Sequence, residues 1–231
     1  MQNVTKNSRI YLSGGGNEKQ SFPLDKFFFN TLPKNGCFLY VPIALRGNKS
    51  YPTVHLWMKG VLELHGRNDL QFENADDLSK YRYENLKKFD AIYMGGGNTW
   101  NLMHELRSSC FSGEIIQYIK SGECVYGGSA GAIIIGKYID THNDEDRINI
   151  RDASGLNLLN DYSVACHYKD EQSNRFKEWA LHNESPIVCL PEKTGLIIES
   201  GSALCIGTKS CVIYLVDGTK KEIQPDESFE I

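Results

Sequence analysis

Three short apolar runs in this chain stop abruptly at glycine clusters. Arg9 to Ser13 runs into Gly14-Gly15-Gly16-Asn17, Ala91 to Met94 into Gly95-Gly96-Gly97-Asn98, and Glu123 to Tyr126 into Gly127-Gly128-Ser129-Ala130-Gly131. Runs this short fit buried strands, and glycine at the end of each allows the backbone to turn sharply. Between and beyond them lie amphipathic, helix-like segments: Leu24 to Leu32, Pro52 to Leu64, Leu78 to Lys87, the face of Trp100, Met103 and Leu106, and that of Ile115, Ile116 and Ile119. Strands alternating with helices predict an α/β fold, a mostly parallel sheet with helices on both faces. Cys37 to Pro42, Val164 to Cys166 and Ile187 to Leu190 read as further strands, and Phe176, Trp179 and Ala180 mark a helix over about Glu171 to His182. The polar stretch Asp140 to Asp152 has the length of a functional loop. The C-terminus favours short antiparallel strands, with Asp217-Gly218 as a hairpin turn between Val212 to Val216 and Lys220 to Ile223. No linker interrupts the pattern, so residues 1–231 are expected to form one domain.

Composition narrows the function classes. The formal net charge is −4 with no basic run, which argues against nucleic acid or an anionic membrane surface as partner. No apolar stretch nears the roughly 18 residues that span a bilayer. The first ten residues, MQNVTKNSRI, lack the apolar core of a signal peptide, and a cytoplasmic location is expected. The seven cysteines are scattered without a CxxC pair, which reads as reduced core thiols and as neither a disulfide framework nor a metal site.

Neither GGGN loop continues as GxGxxG or GK[ST], so dinucleotide and P-loop readings fail. What the loops do offer is backbone N–H groups unshielded by side chains, open to an oxyanion or carboxylate. Gly127-x-Ser129-x-Gly131 matches a nucleophile elbow, in which a serine occupies a strained strand-to-helix turn and the next amide faces the oxyanion of a tetrahedral intermediate. A serine nucleophile needs a base, and His167, at the end of a predicted strand, is the first candidate, with His142 in the polar loop as rival. Asp140, Asp144, Glu145 and Asp146 all qualify as the acid that orients the base, and spacing does not choose among them.

Taken together, Gly95-Gly96-Gly97-Asn98-Thr99, Gly128-Ser129-Ala130-Gly131-Ala132, Thr141-His142-Asn143-Asp144 and Cys166-His167-Tyr168 resemble, in order and spacing, the peptidase E family, the aspartyl dipeptidases among the S51 serine peptidases. The resemblance covers roughly residues 8 to 200 and implies a fold like class I glutamine amidotransferases. It implies Ser129 as nucleophile, His167 as general base and Asp144 as orienting acid, with the amides of Gly97 and Ala130 as oxyanion hole. It also implies no metal and no cofactor, and a small peptide as partner, with a homodimer left open. Glu192 in Leu190-Pro191-Glu192 resembles a family position near the site, and Asn98 and Arg175 join it as candidates for holding substrate.

Two departures bear on specificity. In peptidase E proper a longer loop after the histidine carries an arginine that meets the aspartyl side chain, whereas this chain reads Tyr168-Lys169-Asp170-Glu171-Gln172-Ser173-Asn174-Arg175. Preference for an N-terminal Asp is therefore not expected to dominate. The related cyanophycinases have an arginine-rich helix here, and this helix has a single Arg. The leading expectation is a serine peptidase of dipeptides or short peptides; the alternatives are an esterase using the same elbow and a non-catalytic relative binding a small anion or metabolite.

Overall fold

A computed structural model describes residues 8–231. Along the chain run β1 (Arg9–Ser13), α1 (Phe22–Thr31), β2 (Cys37–Val41), α2 (Tyr51–Leu64), β3 (Gln71–Asn74), α3 (Tyr83–Leu86), β4 (Ala91–Met94), α4 (Thr99–Ser108), α5 (Phe111–Lys120), β5 (Cys124–Gly128) and α6 (Ala130–Ile133). After the long polar loop come β6 (Ser163–Cys166), α7 (Ser173–Asn183), β7 (Ile187–Leu190), β8 (Thr194–Glu199), β9 (Ser202–Gly207), β10 (Cys211–Tyr214), β11 (Lys220–Ile223) and β12 (Ser228–Glu230).

These strands form two sheets. The larger has the order β12-β9-β8-β1-β5-β4-β2-β3, and the smaller β11-β10-β7-β6. From β1 to β3 every pairing in the large sheet is parallel, and β8 joins β1 antiparallel at the other flank. The predicted α/β architecture and the antiparallel C-terminal strands are thus present, and the β10–β11 pair closes across Asp217-Gly218.

Period-two alternation decides which side chain faces which helix layer. Ile10, Leu12, Leu39, Ile92, Met94 and Val125 point to the face covered by α4, α5 and α6, where they meet Leu102, Leu106, Ile115 and Ile119. Tyr11, Phe38, Tyr40, Tyr93 and Tyr126 point the other way, onto Phe28 and Phe29 of α1 and Met58 and Val61 of α2. A separate small core joins α7, through Phe176 and Ala180, to β6, β7 and β10. β1, β5, β4 and β2 are therefore covered on both sides, which is what their continuous apolar character requires.

Two segments differ from expectation. Leu78 to Lys87 is not one helix: a single turn at Leu78–Lys80, capped by the Asp77 carboxylate, gives way to extended Tyr81 and Arg82 before the short α3. The strand Gln71–Asn74 carries little apolar signal because it lies at the sheet edge, exposed in alternation and paired only with β2. The cysteines are all free, as expected, but Cys110 is exposed and does not belong to the core.

One carboxylate is buried beneath the α1 layer. Asp25 is 1% exposed, accepts a short hydrogen bond from the Tyr126 hydroxyl and another from Ser21 Oγ at 2.6 Å, and has the His65 Nε2 atom 3.9 Å away. Burial pushes its carboxyl up to about 7, while burial pushes His65 down, so the imidazole supplies no compensating charge. The unfolded chain releases the Asp25 proton near pH 4 and the folded chain only near 7, so the fold loses stability as pH rises through that window and is penalised fully above it. Asn mimics the protonated acid. The stability of wild type relative to Asp25→Asn is expected to fall by up to about 4 kcal/mol between pH 4 and pH 8, as read from urea melts at both values.

Candidate active site

Ser129 joins β5 to α6 with φ 50° and ψ −108°, a strained conformation held from both sides. Its N–H donates to the Ser13 carbonyl at 3.1 Å, tying the turn to the end of β1, and its carbonyl accepts from Ala132 and Ile133 in the first turn of α6. The helix starts this close to the sheet only because residue 131 is glycine, since a Cβ there would lie 2.4 Å from the Met94 carbonyl oxygen. The serine hydroxyl is thereby presented at the carboxyl edge of the parallel strands, beside the glycine loop that follows β4.

His167 follows the last residue of β6 with φ 55°, and its N–H donates to the Gly14 carbonyl at 2.9 Å. Its Nε2 lies 2.9 Å from Ser129 Oγ and its Nδ1 3.1 Å from Glu192 Oε1. The first glycine loop makes room for the ring: a Cβ on Gly15 would stand 2.4 Å from His167 Cε1. Glu192 reaches the histidine because β6 and β7 are parallel neighbours in register, Cys166 beside Leu190, so the residues just past their ends converge. The second Glu192 oxygen accepts from Gln20 Nε2 at 2.7 Å. The hydrogen bond to His167 holds the Glu192 carboxyl below the usual glutamate range, with Gln20 adding to the effect against partial desolvation.

The acid facing His167 is thus Glu192, and the expectation for Asp144 is corrected. Asp144 Oδ2 accepts from the Thr99 N–H at 2.8 Å and from Thr99 Oγ1 at 3.0 Å, so this carboxylate caps the start of α4, where the helix dipole favours it. Its own N–H donates to His142 Nδ1 at 2.8 Å. The rival base His142 is spent there, packed edge-on against Trp100 with its Nε2 buried, and burial lowers its pKa.

Two substrate-binding expectations are corrected as well. The Asn98 side chain caps α4, accepting from Asn101 N at 2.9 Å and donating to the Glu145 carbonyl at 3.1 Å. Arg175 does not border the cavity; its Nη2 donates to the Thr141 and His142 carbonyls at 3.4 and 3.3 Å and its guanidinium lies over the Phe176 ring. Both residues brace the 140–152 loop against its surroundings.

Gly97, at φ 138°, borders the cavity with its backbone, and the Ala130 N–H opens α6 directly behind Ser129. Neither amide donates a backbone hydrogen bond among the described residues. The cavity has a volume of about 660 Å³ and runs from Ser129, His167 and Glu192 to Tyr40 and Trp57. Among the described residues no group of three or more His, Cys, Asp or Glu side chains is placed to hold a metal ion.

The family profile described as Peptidase family S51 matches residues 10–206. The chain belongs to peptidase family S51. A peptidase E of Nostoc sp. is 28% identical over 173 residues, covering 70% of this chain and 71% of the relative. A Drosophila melanogaster protein named "Probable alpha-aspartyl dipeptidase" is 25% identical, covering 81% and 79%. The crystal structure of a peptidase from an acI-B1 Actinobacterium superposes with a TM-score of 0.68 at 17% identity, over 99% of each chain, a likeness of fold alone. This S51 chain is a hydrolytic peptidase. No helix among its described residues is long and apolar enough to cross a membrane.

Proposed function

We propose that this S51 peptidase cleaves dipeptides or other short peptides by serine catalysis, with Ser129 as nucleophile, His167 as general base and Glu192 as the acid that orients it. The observation that carries the reading is the unbroken contact series from Ser129 Oγ to His167 Nε2 and from His167 Nδ1 to Glu192. The histidine takes the Ser129 proton as Oγ attacks the scissile carbonyl, and Glu192 holds Nδ1 protonated so that Nε2 is the free base. The oxyanion of the tetrahedral intermediate accepts from the Gly97 and Ala130 amides, helped by the positive end of α6. His167 then returns the proton to the leaving amine, and water repeats the sequence on the acyl-enzyme. The names of the Nostoc and Drosophila relatives, peptidase E and alpha-aspartyl dipeptidase, support short peptides as substrates.

A fluorophosphonate probe tests the nucleophile without assuming a substrate. The expected result is one covalent adduct, mapped to Ser129 by peptide mass analysis, together with loss of dipeptide hydrolysis in proportion to labelling. Labelling elsewhere, or full hydrolysis by the fully labelled protein, overturns the assignment.

A further inference from the structure

Four aromatic rings form a continuous row from beneath the nucleophile to the mouth of the cavity. Tyr126, on the strand that ends at Ser129, stacks on Tyr93 with centroids 4.2 Å apart and planes 10° from parallel. Tyr93 meets Tyr40 edge-on at 5.6 Å, and Tyr40 meets Trp57 of α2 at 6.3 Å. All four border the cavity, as does Val54 one turn back along α2.

The direction of this row decides which part of a substrate it meets. The sheet order is β1-β5-β4-β2, with His167 lying over Gly15 at the β1 end and the aromatic row running through β5, β4 and β2 to α2. The histidine must protonate the leaving amine, so the leaving group occupies the β1 side of Ser129. The acyl half of the peptide, whose side chain belongs to its N-terminal residue in a dipeptide, then extends along the floor formed by the row toward Trp57, its exposed end.

The charges in the cavity disfavour an acid at that position. Lys49 is the only Lys or Arg bordering it among the described residues, and it stands exposed on the rim, where water screens it. The neighbouring Arg46 is engaged by Glu105 and the Asp76 carbonyl. Below the row the Tyr126 hydroxyl is already committed to the buried Asp25. A substrate carboxylate laid against Trp57 would lose water and gain no charged partner, whereas an aromatic or large aliphatic side chain gains burial and contact with that ring, the one member of the row not already buried.

Resting on the serine peptidase reading above, we infer that the acyl subsite selects a large apolar N-terminal residue, aromatic above all, over an acidic one, with Trp57 as the specificity-determining side chain at its mouth. The test compares kcat/KM for Phe-Leu, Leu-Leu, Ala-Leu and Asp-Leu. Phe-Leu is expected to exceed Asp-Leu by at least about tenfold and Ala-Leu by a similar factor. Trp57 lies on a helix surface and is 37% exposed, so truncation leaves the fold intact. Trp57→Ala is expected to bring the Phe-Leu to Ala-Leu ratio within about threefold, and Trp57→Phe to keep most of it. A preference for Asp-Leu that disappears in Lys49→Met overturns the inference, as does a Phe-Leu to Ala-Leu ratio indifferent to Trp57. In both cases turnover that depends on Ser129 leaves the peptidase reading standing. If wild type hydrolyses none of the four, that reading falls, and calorimetric binding to Ser129→Ala still decides the subsite: tighter binding of Phe-Leu than of Asp-Leu supports it, and the reverse overturns it.

Discussion

Replacing Ser129 by alanine is expected to lower kcat/KM for the best dipeptide by a factor on the order of 10^4 or more, and replacing His167 by alanine to do the same. The two losses should not multiply. Without the hydroxyl the histidine has no proton to accept, and without the histidine the hydroxyl stays weakly nucleophilic, so the double variant is expected to be as slow as either single one. Neither change opens a core cavity: the His167 side chain is 48% exposed, and alanine at residue 129 removes a single oxygen. Urea midpoints within about 1 kcal/mol of wild type are expected, and they separate loss of chemistry from loss of fold. Turnover by Ser129→Ala within a hundredfold of wild type removes the mechanism.

The second large effect distinguishes two acids. Glu192→Gln is expected to reduce kcat on the order of 10^3-fold, because an amide in place of Glu192 Oε1 presents either an N–H toward Nδ1 or a weaker, uncharged acceptor. The loss is set below that for a fully buried acid because the Glu192 side chain is 43% exposed and water supplies part of what it gives. Asp144→Asn should behave differently. That carboxylate accepts from the Thr99 backbone and side chain through one oxygen, so an amide oxygen placed there retains both bonds while losing the charge at the N-terminus of α4. A stability loss of about 1 kcal/mol and a kcat within tenfold of wild type are expected. The measurements are steady-state kinetics and urea melts of both variants; the opposite pattern, with Asp144→Asn the slower enzyme, returns the orienting role to Asp144.

The contrast between those two acids marks where sequence reasoning reached and where it stopped. The strand ends at Ser13 and Met94 were legible because an apolar run meeting glycine is a local signal, carried within half a dozen residues, and the third strand, read as ending at Tyr126, continues to Gly128. Ser129 and His167 were legible for a similar reason, each being a reactive side chain just past a predicted strand. Choosing the acid required knowing that β7 lies beside β6 in parallel register, a fact about partners far apart in the chain. The signal was present in Ile187 to Leu190 followed by Pro191-Glu192, a strand ending at a carboxylate, but it ranks above the acids of the polar loop only once the neighbour is known. Arg175 and Asn98, expected beside the substrate, lie outside the cavity lining for another reason. Sequence places each at the start of a helix, whereas the carbonyls they bind belong to the distant 140–152 loop. The edge strand β3 was illegible because one flank and alternate side chains meet water, so it needs little of the apolar content that betrays a buried strand.

Ser129 and His167 are built on different sheets. Ser129 rides on the large one, with the backbone of Gly96 beside it, while His167 and Glu192 extend from adjacent strands of the small one, which packs one face on α7 and, through Val164, Val188 and Leu190, the other on the main core. The joint includes the hydrogen bond from His167 N–H to the Gly14 carbonyl and the glycine floor under the imidazole. His167 and Glu192 therefore sit together on one sheet and meet the serine of the other across that joint. Substitutions on the α7-facing side of the small sheet can reposition the His167–Glu192 pair without touching the turn at Ser129, and substitutions along the large sheet can reshape the cavity without touching that pair.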